Sequence, residues 1–139
     1  MYLIKLNNKI FRTTQAYLEK VLKQYELSSG SYPYLFILEN HEGISQNKIS
    51  LELACDKAMS ARTITKLMKS GYIDRREDED DSRAYKLYLT EKAKCIIPKI
   101  RKEIRTLVNL ITMDLNEEEK IITIDSLKKI LASGKKINL

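Results

Sequence analysis

The chain has 139 residues, 43% of them hydrophobic and 32% charged, which suits a folded domain with a well-solvated surface. No apolar run approaches the roughly 20 residues that cross a bilayer. One histidine, two separated cysteines and four glycines argue against histidine-dependent triads, multi-histidine zinc sites, a disulfide scaffold and a glycine-rich phosphate loop, while a net charge of +6 favours an anionic partner such as nucleic acid.

The opening residues, Met1-Tyr-Leu-Ile-Lys-Leu, carry neither the apolar stretch nor the small-residue cleavage site of a secretory signal, so a cytoplasmic protein is expected. Ile10, Phe11, Tyr17, Leu18, Val21, Leu22 and Tyr25 recur at helical spacing and predict a first helix from about Leu6 to Tyr25. Ser28-Ser29-Gly30-Ser31 closes that helix and caps a second one. Pro33 lies in the second helix's first turn, where a missing N–H costs little, and Gly43 ends it. Ser45 is a good N-cap for a third helix through about Ala54. Cys55-Asp56-Lys57 reads as a short turn, and a fourth helix runs from Ala58 to Ser70, stopped by Gly71.

The period then changes. Tyr72 to Arg76 reads as a strand, Glu77 to Ser82 as a polar turn, and Ala84 to Leu89 alternates with period two, so a β-hairpin is expected. Thr90 caps a long fifth helix to about Met113, with Pro98 placed to bend it. Asn116 and Glu119 have capping-box spacing and open a sixth helix to about Ala132; the tail from Gly134 is expected to fray. The predicted class is mainly α with a small β-hairpin.

Two short helices joined by a tight turn form a helix-turn-helix candidate, and a hairpin directly behind the second makes it winged. A major groove about 12 Å wide admits one helix, which must show short polar and basic side chains. The fourth helix offers Lys57, Arg62, Lys66 and Lys69 among Ala58, Ala61 and Thr65, with Ile64, Leu67 and Met68 turned inward. An ordinary amphipathic helix with solvated lysines has the same composition. The hairpin behind it favours the DNA-binding reading.

From Ile44 to Ala93 the sequence resembles a MarR-family winged helix. The resemblance rests on Ile44-Ser-Gln-Asn-Lys-Ile, on Asp56-Lys through Thr65-Lys-Leu, and on Gly71-Tyr-Ile-Asp-Arg-Arg. It continues through Asp81-Ser-Arg83-Ala and Tyr88-Leu-Thr-Glu-Lys-Ala93, and the order of flanking helices also matches. It implies a single domain, 1–139, with a winged helix DNA-binding part at 29–92 and dimerisation helices at 1–28 and 93–139. It further implies a transcriptional regulator, a ligand-responsive repressor that binds a pseudo-palindromic operator in double-stranded DNA as a homodimer. Lys57, Ala58, Met59, Ala61, Arg62, Thr65 and Lys66 would lie near DNA, Ser45 and Gln46 would approach phosphate, and Arg83 would reach the minor groove from the wing, held by Asp81. The apolar stripes of the first, fifth and sixth helices exceed what a 139-residue monomer covers, which agrees with a homodimer.

Two positions depart from the family pattern. Ser82 stands where a second arginine is common, on a turn whose five carboxylates, Glu77 to Asp81, either repel phosphate or pair with Arg75, Arg76 and Arg83. Ala93 replaces a usual glycine, which costs a helix nothing. Family members often respond to a small aromatic or carboxylate effector, and Arg12, Tyr32 and Phe36 are the residues this chain offers for one, beside Tyr34. Aromatics at helical spacing equally build a core.

Cys55, in the turn before the recognition helix, is placed to perturb DNA binding if oxidised, although a free cysteine is usually a small buried hydrophobe. His41 is a polar residue near a helix end. No metal, cofactor or catalysis is expected, because the only dense carboxylate set has no companion histidine or cysteine. The competing class is a winged helix used for protein–protein contact, against which Lys57, Arg62 and Lys66 argue.

Overall fold

The computed structural model describes residues 1–81 and 84–137. In chain order it contains α1 (Tyr2–Leu22), a 3-10 turn (Lys23–Tyr25), α2 (Tyr32–Asn40), α3 (Gln46–Glu52) and α4 (Lys57–Lys69). These are followed by β1 (Ile73–Glu77), β2 (Tyr85–Leu89), α5 (Glu91–Ile111) and α6 (Glu117–Gly134). The fold is thus mainly helical with one small antiparallel hairpin, as expected. α1 starts four residues before the predicted Leu6, since no breaker separates Tyr2 from the apolar stripe. Its exit tightens into the 3-10 turn, which ends where Glu26 takes a left-handed conformation (φ 58) and donates its N–H to the Lys23 carbonyl.

The chain divides into two compact units, Met1–Ile104 and Arg105–Leu139, with the boundary inside α5. The core of the first is built by each of its helices and both strands, the 3-10 turn alone adding no buried residue. Leu22 of α1, Leu35 and Leu38 of α2, Ile49 of α3, Ile64 and Leu67 of α4, Leu87 of β2 and Ile97 of α5 are all buried. Each such side chain contributes roughly 1.5–3 kcal/mol by leaving water. The helix pair and the hairpin therefore share one core. In the second unit the Asn116 side chain accepts the Glu119 N–H at 2.8 Å, and the Glu119 carboxylate accepts the Asn116 N–H at 3.1 Å, so the predicted capping box starts α6. Among the described residues α6 buries none: Ile121, Ile122, Ile124, Leu127, Ile130 and Leu131 are exposed.

The hairpin register pairs Ile73 with Leu89 and Glu77 with Tyr85. On its other edge β2 is joined by the segment entering α3: the Gly43 N–H donates to the Leu87 carbonyl at 2.8 Å and the Leu87 N–H to the Ile44 carbonyl at 3.1 Å. Gly43 has φ +83, and a Cβ there would sit 3.3 Å from the Tyr88 hydroxyl, so glycine suits both the turn and the close approach.

Gly71 ends α4 as predicted, with the N–H of Tyr72 donating back to the Leu67 carbonyl at 2.9 Å. That junction is pinned from the start of α5. The Thr90 hydroxyl donates to the Gly71 carbonyl at 2.6 Å and the Lys92 ammonium to the Ser70 carbonyl at 2.7 Å. Thr90 also caps α5 by accepting the Ala93 N–H at 3.2 Å, and the Tyr72 hydroxyl donates to the Tyr25 carbonyl.

Candidate nucleic-acid interface

Ser45 is the N-cap of α3, its hydroxyl accepting the Lys48 N–H at 3.2 Å. Gln46 is half-buried, and its side-chain carbonyl is enclosed without a hydrogen-bond donor among the described residues. α3 ends at Glu52, short of the predicted Ala54, because Ala54 adopts the left-handed conformation (φ 53) that turns the chain toward the next helix. The next helix in turn begins earlier than predicted. Asp56, read from sequence as part of the turn, is the N-cap of α4 and accepts the Met59 N–H on its carboxylate at 2.8 Å. The signal was present, an aspartate one residue before a helical run.

α4 is held from behind by Ile64 and Leu67 and by a polar contact that sequence periodicity does not reveal. Ser60 is fully buried, and its hydroxyl lies 2.8 Å from the Tyr34 hydroxyl of α2. Burial pushes the Tyr34 phenol above its ordinary pKa, with the Ser60 hydrogen bond opposing. A serine on the inward face thus fixes the helix's rotation by satisfying both hydroxyls. Met68 is half-buried.

Of the seven predicted recognition residues, Lys57, Ala58, Met59, Arg62, Thr65 and Lys66 are exposed and Ala61 is half-buried. Ala61, Arg62, Thr65, Lys66 and Lys69 line a shallow groove of about 350 Å³ along it. Among the described residues no carboxylate forms an ion pair with Lys57, Arg62, Lys66 or Lys69. The surface is basic and shallow.

The hairpin uses its charges differently. The Arg75 guanidinium lies 4.2 Å above the Tyr85 ring centre and that of Arg76 4.2 Å above Tyr88, so these arginines stack on the aromatic residues of β2. Neither forms an ion pair with the acidic turn among the described residues. Asp78 instead accepts the Asp80 N–H at 3.0 Å and faces Lys86 at 4.0 Å. The Asp81 carbonyl accepts the Ala84 N–H at 3.0 Å. Arg83, the predicted minor-groove residue, lies with Ser82 outside the described residues, as does any contact between it and Asp81.

Of the three residues expected to serve an effector, Tyr32 and Phe36 meet edge-to-face with ring centres 5.5 Å apart. Tyr32 lines a cleft of about 240 Å³ with Phe11, Thr14, Gln15, Leu18, Ser29 and Gly30, and burial raises its phenol pKa. The Arg101 guanidinium, which pairs with Glu39, lies 5.3 Å from the Phe36 ring centre. Arg12 is exposed on α1 and is not part of the cleft lining. Cys55 is half-buried, its thiol 3.5 Å from the Leu53 carbonyl, whereas Cys95 is exposed; neither is in a disulfide. His41 is exposed at the end of α2.

Residues 27–85 match the model of the MarR family. The HTH-type transcriptional regulator BilQ of Clostridioides difficile (strain CD3) is 39% identical over 85 residues, which are 61% of this chain and 57% of BilQ; the match thus spans less than two thirds of that relative. The crystal structure of a MarR transcriptional regulator from Methanosarcina mazei Go1 superposes with a TM-score of 0.92 at 31% identity, over 99% of both chains. A MarR family transcriptional regulator from Listeria monocytogenes, solved in complex with a 26mer DNA, superposes with a TM-score of 0.86 at 26% identity, over 94% of this chain and 87% of its own.

Proposed function

This chain belongs to the MarR family, and from that premise we propose that it represses transcription by binding a pseudo-palindromic operator as a homodimer, each protomer laying α4 in the major groove. The observation that carries this reading is the outer face of α4: shallow, and bearing four cations, none of them in an ion pair among the described residues, with only Lys66 near enough to a carboxylate, Glu19, to act on its charge. Cations left unpaired at a surface suit an anionic partner, because counterions released from DNA supply much of the binding free energy.

Within this reading the chain is one domain, 1–139. Residues 29–92 form the DNA-binding part, and 1–28 and 93–139 form the dimerising part. Support for the dimer comes from the exposed apolar side chains of α6 together with Tyr2, Leu3, Ile4 and Leu6 of α1, which a second copy would cover. The cleft beside Tyr32 is the proposed seat of a small aromatic or carboxylate effector, with Phe36 behind Tyr32. Arg12, on the helix that supplies Phe11, Thr14 and Gln15, is the cation offered to its carboxylate. Such a ligand shifts DNA binding only if it favours one dimer geometry over another. Ser45 and Gln46 at the start of α3, and Arg83 on the wing with Asp81 beside it, complete the proposed DNA contacts. No catalytic step or cofactor belongs to this function, and its place is the cytoplasm.

Sedimentation at low micromolar concentration tests the assembly, and twice the chain mass of 16.2 kDa is expected. A footprint on a selected site tests the rest. The two half-sites should lie about one helical turn, ~10 bp, apart, and inserting five base pairs between them should abolish tight binding. Affinity that ignores both the insertion and the salt concentration would transfer the molecule to the competing class, a winged helix that contacts protein.

A further inference from the structure

A second concavity of about 860 Å³ adjoins α4, at the end of the helix away from Asp56. Lys66 and Lys69 form one wall, and Lys20 and Lys23, from the end of α1 and the 3-10 turn, form the other. Lys66 and Lys69 also line the groove that holds Ala61, Arg62 and Thr65, so the two depressions share a border. Two glutamates lie in the same concavity. Glu19 is largely engaged by Ser29, its carboxylate accepting the Ser29 N–H at 2.8 Å and the Ser29 hydroxyl at 2.6 Å, and the Lys66 charge acts on it more weakly. Glu26 is exposed, at the turn after the 3-10 segment. Four lysines against two glutamates leave the concavity positive, and among the described residues none of the four ammonium groups is in an ion pair. Elsewhere in the chain Lys86, Lys94, Arg101 and Lys120 all have carboxylate partners.

We propose that Lys20 and Lys23, facing Lys66 and Lys69 across this concavity, form a second phosphate site that grips the DNA backbone beside the stretch read by α4. The inference rests on the DNA-binding function proposed above and adds two residues, one from α1 and one from the 3-10 turn, in a segment that the resemblance assigns to dimerisation. From Arg62 to Lys69 the helix rises about 10 Å, at 1.5 Å per residue. That is about three base pairs at 3.4 Å each, so the lysine walls lie beyond the central base contacts and against sugar–phosphate. Contacts of this kind fix register and orientation without reading sequence.

The test compares the wild type with Lys20→Gln/Lys23→Gln on two duplexes, one with long flanks and one trimmed to the half-sites, across a range of salt. Both lysines are exposed and, among the described residues, neither side chain is in an ion pair, and thermal unfolding of the variant checks that the fold is intact. On the long duplex the log–log salt slope should shrink by about 0.9 per lysine removed, roughly 3.6 for the four in a dimer, with base preference unchanged. The Lys20→Arg/Lys23→Arg variant should restore the slope, and trimming should reduce the wild-type slope toward that of the glutamine variant. A steep wild-type slope that the glutamine variant keeps on both duplexes would overturn the site while leaving the proposed function standing. A wild type that does not bind DNA would remove both. An unchanged slope, with millimolar inorganic phosphate protecting the wild type but not the variant against heat, would make the concavity a small-anion pocket and also overturn the proposal.

Discussion

α4 and the hairpin behind it are both rich in charge, yet they hold it in opposite ways. On α4 the cations project from a shallow surface, and the polar work needed to seat the helix is done on the other side by Ser60 and Tyr34. On the hairpin Arg75 and Arg76 are folded back onto Tyr85 and Tyr88, and Asp78 is spent on a neighbouring N–H and on Lys86. A cation already satisfied within the fold has less to gain from a phosphate than one left in water. Under the proposed function, the difference assigns most of the affinity and specificity to the helix and leaves the hairpin shafts as a brace.

Four experiments break or sharpen that contrast. The largest effect is expected from Arg62→Ala. If Arg62 makes a bidentate base contact, its loss costs about 1–3 kcal/mol of operator affinity, about five- to 150-fold, and relaxes preference at one base pair. Arg83→Ala should cost less and act mainly on A·T-rich flanks; titration of both variants at one salt concentration ranks them, and a reversed order would move the affinity to the wing.

Next comes the seat of the helix. Tyr34→Phe leaves the buried Ser60 hydroxyl without its partner and should lower stability by about 1–2 kcal/mol in urea unfolding. Adding Ser60→Ala should recover part of that loss, since removing both partners is cheaper than orphaning one.

A smaller effect is expected from Tyr85→Leu. It should cost about 0.5–1 kcal/mol of stability by removing the surface under Arg75. The freed guanidinium should then strengthen non-specific DNA binding at low salt, whereas a hairpin whose arginine was never held back would show no gain.

The faintest lies at the far end of α4. Ser29→Ala removes the hydroxyl that, with the Ser29 N–H and the nearby Lys66 charge, holds the Glu19 carboxyl below its ordinary value of 4.5. Because folding lowers this pKa, the contribution is full above the unfolded value and drains away as pH falls through the lower folded one. The variant's Glu19 should titrate nearer 4.5 by NMR, and its stability difference from wild type should fade in acid.

Local chemistry made much of this legible in advance. Ser45, Gly71, Thr90 and the Asn116–Glu119 box mark element ends by side-chain bonds that reach three residues or fewer, or by a backbone angle, so they can be read from a short window. The outward face of α4 was legible for the same reason, as helical periodicity. What escaped was long-range. The Tyr34–Ser60 bond spans 26 positions, and the approach of Lys20 and Lys23 to Lys66 and Lys69 depends on how α1 ends, which no periodicity specifies. The stacking of Arg75 and Arg76 was hidden by a nearer and more obvious alternative, the acidic turn beside them. The Asp56 cap is local, but the turn residues around it mask that role.

The bonds from Thr90 to Gly71 and from Lys92 to Ser70 have an evolutionary corollary. They rivet the end of α4 and the hairpin that follows it to one post, so neither can be re-aimed without the other. If α4 reads DNA as proposed, a lineage adapting to a new operator is then left with one economical route, exchange of the outward side chains on an unmoved chassis. Transplanting positions 58, 61, 62 and 65 from a relative of different preference should carry that preference across intact.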